Sequence, residues 1–247
     1  MDSGGAVAVA CDRGRMSPQP AVPQLWRGDG TEQRGLVDDA PPAPDLEGAH
    51  VRVQGVSGAG AAAAIAAAAA GAASVSLVAL AGDRGPAGTR HLARRLAEEA
   101  PGIRVHLDAT RRVDGEVIAA YGAVPARLQH RLMLAGPHVV MLADEAGWAV
   151  LPVSPGTAAC ARCLDLRRAD ADPAWPVLAA QCEAYAPPRD PLSASLAGAL
   201  AASSLAALLA GGAAPAWRVE RGLPLRLVAA PHRDCGCGAS GATADAL

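Results

Sequence analysis

Two closely spaced pairs of cysteines constrain the fold of this 247-residue chain more than any other sequence feature. The first pair is Cys160-x-x-Cys163, and the second is Cys235-x-Cys237. Paired thiolates on two short loops supply four soft ligands at tetrahedral corners, which is the geometry of structural zinc. Gly236 gives the second pair the backbone freedom to bring both thiolates to one ion. We therefore predict a closed zinc site that joins two remote parts of the chain and has no open position for catalysis.

Two alternatives to this four-cysteine site remain open. The thiols could be reduced and unrelated, or His232 could replace one cysteine as a ligand. The first residues do not resemble a secretory signal, and paired cysteines in a reducing compartment more often hold metal than form disulfides. We therefore predict a cytoplasmic location. We assign no role to Cys11. Cys182 could be a reactive thiol, but a small, buried residue on a helix is the more common case.

The charge and the apolar segments disfavour two classes of partner. The net charge of -2 gives no reason to expect binding to nucleic acid or to an anionic membrane. Two stretches, 59–73 and 196–214, approach the length of a bilayer span. Both consist mostly of alanine, with too little Leu, Ile or Val for insertion. We therefore predict helices packed closely on a sheet.

Alternating strand and helix patterns from residue 46 onward predict the fold class. They indicate an α/β protein with a Rossmann-like, mostly parallel sheet, helices on both faces and a C-terminal zinc-clasped part. The predicted strands are 50–54, 74–80, 103–107, 116–121, 139–142 and 148–153, with two more within 217–228. The predicted helices are one from the glycine loop to about residue 70, one from an N-cap at Thr89 to residue 100, and those at 126–135 and 193–210. Residues 165–191 are rich in Pro and polar groups and are predicted to be irregular.

The same patterns divide the chain into four parts. Residues 1–45 are predicted to form a loosely structured N-terminal segment, with Leu25-Trp26-Arg27 and Leu36-Val37 as candidate strands. Residues 46–153 are predicted to form a Rossmann-like region of the nucleotide-binding type. Residues 154–239 would contain a crossover loop, a helix and the zinc-bound C-terminal part, and residues 240–247 a disordered tail.

The candidates for cofactor binding lie in a glycine-rich loop between the first of these strands and its helix. Its sequence is Gly55-x-Ser57-Gly58-x-Gly60. Glycines there permit a sharp turn and let backbone N–H groups at a helix N-terminus approach a phosphate. Alternatively, the glycines serve only the packing of a strand-to-helix turn. The acid expected at the end of the next strand is absent, since Asp83 lies too far along the chain, and this disfavours a cofactor site.

Taken together, these motifs resemble the ThiF/MoeB/E1-like superfamily of activating enzymes. The resemblance lies in the glycine loop, the two cysteine pairs and Pro155-Gly156-Thr157 before the first pair. Residues 155–181 and 232–238 look more closely like actinobacterial ThiF-like proteins, described as partner proteins of a bacteriocin (azoline-peptide) cyclodehydratase. This resemblance covers about residues 46–239. Segments 25–28 and 33–36 are similar to the start of that family's N-terminal peptide-binding domain, which would make residues 1–45 a reduced form of it.

The resemblance implies ATP- and Mg2+-dependent adenylation of a carboxylate at the C-terminus of a small protein. In the superfamily a Lys and an Arg neutralise the triphosphate and an Asp holds the metal. Here all 22 basic residues are arginine, and the expected acid is missing. We therefore expect a non-adenylating scaffold or partner in ribosomal-peptide modification of the azoline or bacteriocin type. It would hold structural Zn2+, form a homodimer and bind a peptide or a partner enzyme such as a YcaO-type cyclodehydratase.

Two rival functions remain. One is an active adenylyltransferase in which Arg84, Arg90, Arg94 or Arg95 replaces the lysine near the phosphates of ATP. The other is an NAD(P)-dependent oxidoreductase, which leaves the cysteine pairs without a role.

Overall fold

A computed structural model describes residues 24–26, 32–34, 45–83, 85–187 and 190–239. Residues 1–43 and residues 44–247 form separate units. In the first unit, β1 (Gln24–Trp26) and β2 (Glu32–Arg34) pair in antiparallel fashion. The candidate strand Leu36-Val37, the residue Cys11 and the predicted tail at 240–247 lie outside the described residues.

The second unit alternates strands and helices along most of its length. In chain order its elements are β3 (His50–Gln54), α1 (Ala59–Ala69), β4 (Ser74–Val78), α2 (Gly85–Glu99), β5 (Arg104–His106), β6 (Gly115–Tyr121), α3 (Ala126–Ala135), β7 (His138–Ala143), β8 (Gly147–Val153), α4 (Ala161–Ala171), α5 (Trp175–Cys182), α6 (Pro191–Leu209), β9 (Ala216–Glu220) and β10 (Leu223–Leu227). The predicted α/β fold class is confirmed.

All eight strands of this unit form one mixed sheet, in the order β10-β9-β8-β7-β6-β3-β4-β5. The five strands from β7 to β5 are parallel, and β8, β9 and β10 extend the sheet in antiparallel pairs. The chain steps outward from β3 to β5 and then returns to β6 on the other side of β3. Ligands of open α/β sheets bind at such a reversal of strand order, beyond the carboxyl ends of the strands.

Two apolar layers cover the faces of the sheet. On one face α1, α2 and α6 pack on the odd-numbered residues of β3 and β6, and on the other α3 and α4 pack on even-numbered residues of β6. Helices α1 and α6 approach each other very closely. A methyl group at Gly198 of α6 would lie 2.5 Å from the Ala62 side chain and 2.6 Å from the Ala63 nitrogen. The small side chains of both alanine-rich helices therefore permit this close packing.

Helix α6 is long and apolar enough, by length and composition alone, to cross a membrane. Its buried residues, which include Ala197, Ala201 and Leu205, belong to the core between the sheet and α1. Burial of this kind is typical of the core helix of a globular domain. The predicted packing of segments 59–73 and 196–214 against a sheet agrees with this arrangement.

Two helix predictions were wrong. Helix α2 begins at Gly85, so Thr89 is not an N-cap; its hydroxyl donates instead to the Gly85 carbonyl at 3.1 Å. Residues 165–191 were predicted to be irregular, yet they contain most of α4, all of α5 and the first residue of α6. Pro176 lies in the first turn of α5, where its missing N–H leaves no helical hydrogen bond unmade.

A cluster of buried polar side chains, the Glu116 cluster, lies on the α3 side of the sheet. Arg52 Nη1 lies 2.6 Å from Glu116 Oε1, and Gln54 Nε2 donates to Oε2 at 2.8 Å. Arg131 of α3 reaches the same carboxylate with both terminal nitrogens, at 2.7 and 2.9 Å. Burial alone would raise the pKa of Glu116, but these hydrogen bonds and the two arginine charges lower the pKa below its usual value.

Candidate functional site

The four cysteines of the predicted zinc site come together at the start of α4. Cys160 is the N-cap of that helix and Cys163 lies in its first turn, so the spacing of three directs both sulfurs to one side. Cys235 follows a turn closed by a hydrogen bond from its own N–H to the His232 carbonyl at 3.0 Å. Cys237 comes two residues later. The chain therefore brings two remote segments to one point.

The distances between the sulfurs suit a tetrahedral metal ion. Cys160 Sγ lies 3.8 Å from Cys163 Sγ and 3.7 Å from Cys235 Sγ, and Cys163 Sγ lies 3.6 Å from Cys237 Sγ. All four sulfurs lie within 4.8 Å of one another. A zinc ion bonded to four sulfurs at about 2.3 Å requires sulfur-to-sulfur distances of about 3.8 Å. Four close cysteines of this kind could bind a metal such as zinc.

The protonation of these thiols also fits a metal site. Burial raises the pKa of the Cys160 thiol, and the charges of Cys163 and Cys235 also raise it, against a hydrogen bond from the Cys163 backbone that lowers it. Burial likewise raises the pKa of Cys235, to about 11. Four thiolates without a cation would repel one another strongly, whereas a bound divalent ion removes the protons and neutralises the charge. The donor set is therefore suited to an ion that displaces protons on binding.

His232, the alternative to one of the cysteines, directs both ring nitrogens to partners other than the four sulfurs. Its Nε2 lies 2.8 Å from Asp170 Oδ2, and its Nδ1 accepts the Asp234 N–H at 3.1 Å. The His232 backbone N–H bonds to Cys163 and helps to lower the pKa of that thiol below its usual value, against the opposing effect of burial. The His232 side chain thus links the second cysteine turn to α4 through Asp170. It would stabilise the metal ligands without binding the ion itself.

The glycine loop after β3 makes a turn that larger residues could not make. Gly55 has a φ of 86°, and a methyl group on it would lie 2.0 Å from the Ala119 carbonyl oxygen. A methyl group on Gly60 would lie 1.7 Å from the Gly55 carbonyl oxygen. Gly58, the N-cap of α1, has more space, since the nearest atom to its added methyl would be 3.6 Å away. Packing alone therefore accounts for the first and last glycines.

Asp83 contacts this loop, although its position in the sequence was expected to place it too far along the chain. The turn after β4 carries it back against the loop, where Oδ2 accepts the Val56 N–H at 2.9 Å and the Leu80 N–H at 2.8 Å. The Ser57 hydroxyl donates to Oδ1 at 2.5 Å. The sequence contains the acid, but only the path of the turn places it beside Ser57. The carboxylate therefore already accepts hydrogen bonds from two donors of the loop, the Val56 N–H and the Ser57 hydroxyl. Its negative charge beside these donors disfavours a nucleotide phosphate there.

A cleft of about 620 Å³ opens beside the loop, within the usual size range of small-molecule sites. Its described lining includes Ser57 and Gly58 of the loop, His91 and Arg95 of α2, and Asp190 at the start of α6. Arg95 lies 2.7 Å from Glu99, so its charge is already partnered. The other candidate arginines differ in position: Arg90 and Arg94 are exposed on α2 and do not line the cleft, and Arg84 lies outside the described residues.

The segment 182–187 packs against the turns that follow β4 and β6. A methyl group on Gly82 would lie 2.1 Å from the Tyr185 carbonyl oxygen, and one on Gly122 would lie 2.4 Å from Cys182 Sγ. Burial raises the pKa of Cys182, and the hydrogen bond from Tyr121 to Glu145 raises the pKa of that phenol to about 12. Neither group is therefore an activated nucleophile at neutral pH.

Comparison with known proteins identifies a shared fold. No protein-family profile and no curated protein sequence matches the chain. Among solved structures, E. coli MccB with ATP has 14% identity and a TM-score of 0.58, and the match covers 78% of this chain and 67% of that chain. E. coli MccB with the selenomethionine form of MccA has 14% identity and a TM-score of 0.56, with the same two coverages.

A third structure of this kind is described as the microcin C7 biosynthetic enzyme MccB in complex with N-formylated MccA. It has 13% identity and a TM-score of 0.57, and the match covers 78% of this chain and 68% of that chain. At such low identity the likeness shows the fold alone. The fold agrees with the one expected from the ThiF/MoeB/E1-like resemblance.

Proposed function

We propose that this chain is a zinc-containing member of the ThiF/MoeB/E1-like superfamily that does not adenylate. It would act as a scaffold or partner protein in the modification of ribosomal peptides of the azoline or bacteriocin type. Residues 46–153 would provide the Rossmann-like region, residues 154–239 the zinc-clasped part and residues 1–45 a reduced peptide-binding domain. The finer assignment, to the actinobacterial cyclodehydratase partner proteins, rests on residues 155–181 and 232–238.

One observation carries the proposal: a fold shared with MccB occurs in a chain that contains no lysine. The matching structures contain MccB with ATP and with MccA, which supports a peptide-related role for the fold. Catalysis of phosphoryl and nucleotidyl transfer depends on cations placed against the phosphates. Arg95 is the described arginine that lines the cleft, and the planar guanidinium of arginine does not reproduce the compact charge of a lysine ammonium, which disfavours the adenylyltransferase alternative.

The four cysteines would hold one Zn2+ between α4 and the turn that contains residues 235–237. Cys160, Cys163, Cys235 and Cys237 would fill all four positions, so the ion would act in structure rather than in chemistry. The NAD(P) alternative gains no support from this arrangement, because a reductase of that kind has no need of the cysteine cluster.

An ATP–pyrophosphate exchange assay tests the absence of adenylation. The 247-residue chain, assayed with Mg2+ and ATP, alone and with a candidate substrate peptide, is expected to give exchange no faster than a blank without protein. An adenylating enzyme of the same fold, assayed in parallel, shows that the conditions permit exchange. Robust exchange by this chain would instead establish the adenylyltransferase alternative.

Native mass spectrometry tests the role of a scaffold or partner. The zinc-loaded chain is expected to appear at twice its 24.7 kDa mass, and to form an additional complex with a YcaO-type cyclodehydratase from the same source. Bovine serum albumin in place of the cyclodehydratase provides a control for non-specific association. A monomer that binds neither a second copy nor the cyclodehydratase would contradict the proposal.

A further inference from the structure

We propose that the Asp83 carboxylate is a built-in ligand of the glycine loop, which takes the place of a phosphate and excludes phosphate-bearing ligands. This inference rests on the proposed function, because it names the residue that keeps the loop from binding ATP. It concerns a specificity-determining residue and not a catalytic one.

The hydrogen bonds of Asp83 show that its carboxylate occupies donors of the glycine loop. Both carboxylate oxygens point toward protein donors: Oδ2 accepts the N–H groups of Val56 and Leu80, and Oδ1 accepts the Ser57 hydroxyl. Backbone N–H and hydroxyl groups of such a loop are the groups that bind phosphate in nucleotide sites. In this chain a carboxylate has already taken two of these loop donors, and bonds to an ionised acceptor are among the stronger ones.

The negative charge of Asp83 would also repel a phosphate at the loop. A phosphate brought to the remaining loop N–H groups would lie within a few ångströms of the carboxylate, where like charges repel strongly outside bulk water. Asp190 adds a second acidic group to the cleft lining, where Arg95 is the described arginine. The two carboxylates therefore outnumber the one arginine in the described lining.

A different role for Asp83 predicts the opposite result. In dinucleotide-binding folds an acid after the second strand accepts hydrogen bonds from the ribose hydroxyls, and its loss weakens binding. Here the same type of residue lies against the loop itself. The sign of the change in ATP affinity on removing the charge therefore separates the two roles.

The substitution Asp83→Asn removes the charge with little change in shape. The amide oxygen can accept the N–H groups of Val56 and Leu80 as Oδ2 does, and the amide nitrogen can donate to the Ser57 oxygen. Glu98→Gln is the matched control, because Glu98 is an exposed acid on α2 and its loss changes the net charge equally. Asp83→Ser, which is neutral and smaller, is a second variant in case the asparagine variant does not fold.

Isothermal titration calorimetry of the native chain and its variants with ATP and Mg2+, and separately with adenosine, gives the readout. We expect Asp83→Asn to bind ATP at least about tenfold more tightly than the native chain, since repulsion is lost while the donors remain. Adenosine, which has no phosphate, should bind all variants equally, and Glu98→Gln should match the native chain.

Every other result contradicts the inference. Weaker or unchanged ATP binding by Asp83→Asn would mean that the carboxylate does not exclude phosphate. An equal gain for ATP and adenosine would mean that Asp83 acts by filling space and not by its charge. The proposed function fails independently, through pyrophosphate exchange by the native chain, so the two failures can be told apart.

Discussion

The substitution Cys163→Ser is expected to abolish zinc binding and to lower the free energy of unfolding by at least about 3 kcal/mol. Cys163 is fully buried, and its sulfur lies 3.8 Å from that of Cys160 and 3.6 Å from that of Cys237. A serine hydroxyl is a far poorer zinc ligand than a thiolate. The three remaining cysteines would therefore hold the ion weakly.

Thermal unfolding and metal analysis measure this effect. In a chain of this size, a loss of 3 kcal/mol corresponds to a fall in Tm of roughly 6–12 °C. The native protein should contain one equivalent of zinc, and the variant should contain almost none. Chelation of zinc from the native protein should lower its Tm by a similar amount.

Cys182→Ser is the matched control, because Cys182 is a half-buried cysteine outside the metal cluster. It should keep one equivalent of zinc and lose no more than about 1 kcal/mol, as is usual for substitutions that break no special contact. A Cys163→Ser protein that retains the ion, or a native protein whose zinc leaves without any change in Tm, would refute the structural zinc site.

The substitution Glu116→Gln is expected to lower the free energy of unfolding by about 3–5 kcal/mol, the usual cost of breaking a buried ion pair. Glu116 is the acceptor of the Glu116 cluster, and its side chain is 2% exposed. Glutamine keeps the size of the side chain but leaves the Arg52 guanidinium, itself 7% exposed, without a counter-charge. Arg131 is more exposed and can turn toward water.

Denaturant unfolding at neutral pH provides the measurement, with Glu99→Gln as its control. Glu99 pairs with Arg95 one helical turn away, and both side chains are more than 40% exposed. Loss of that exposed pair should cost no more than about 0.5 kcal/mol. Equal effects of the two substitutions would show that the Glu116 cluster adds no special stability.

The same cluster predicts how stability depends on pH. The folded state lowers the pKa of Glu116 below its ordinary value of 4.5, so the unfolded chain takes up the proton first. This contribution is fully present above pH 4.5 and is lost as the pH falls through the folded pKa. The difference in stability between the native chain and Glu116→Gln should therefore shrink on acidification below that point.

Local sequence patterns predicted most of the sheet and its helices. The alternation of Val51 and Val53 around polar residues marked β3, and the alanine run after the glycine loop marked α1. Prolines misled the prediction for 165–191, because they indicate breaks in a helix, whereas Pro176 lies in the first turn of α5. Pro86 likewise lies in the first turn of α2, ahead of the predicted N-cap at Thr89.

The two candidate sites differ in how far local sequence could reveal them. The cysteine cluster was visible because the ligand spacing within each pair is itself local, and the fold needed only to bring the pairs together. The role of Asp83 depends on a turn that returns the chain to a loop 26 residues earlier. Contacts of that kind leave no periodic signal, so only the tertiary structure reveals them.

The separation of the cysteine pairs also has a consequence for the unfolded chain. Cys160 and Cys235 are 75 residues apart, and α6, β9 and β10 lie between them. An ion that held both pairs during unfolding would close a large loop and remove roughly 4 kcal/mol of chain entropy from the denatured state, as a disulfide of that span does. The zinc-bound chain should therefore still fold when it carries a substitution that weakens the packing of α6. The same substitution should unfold the metal-free chain.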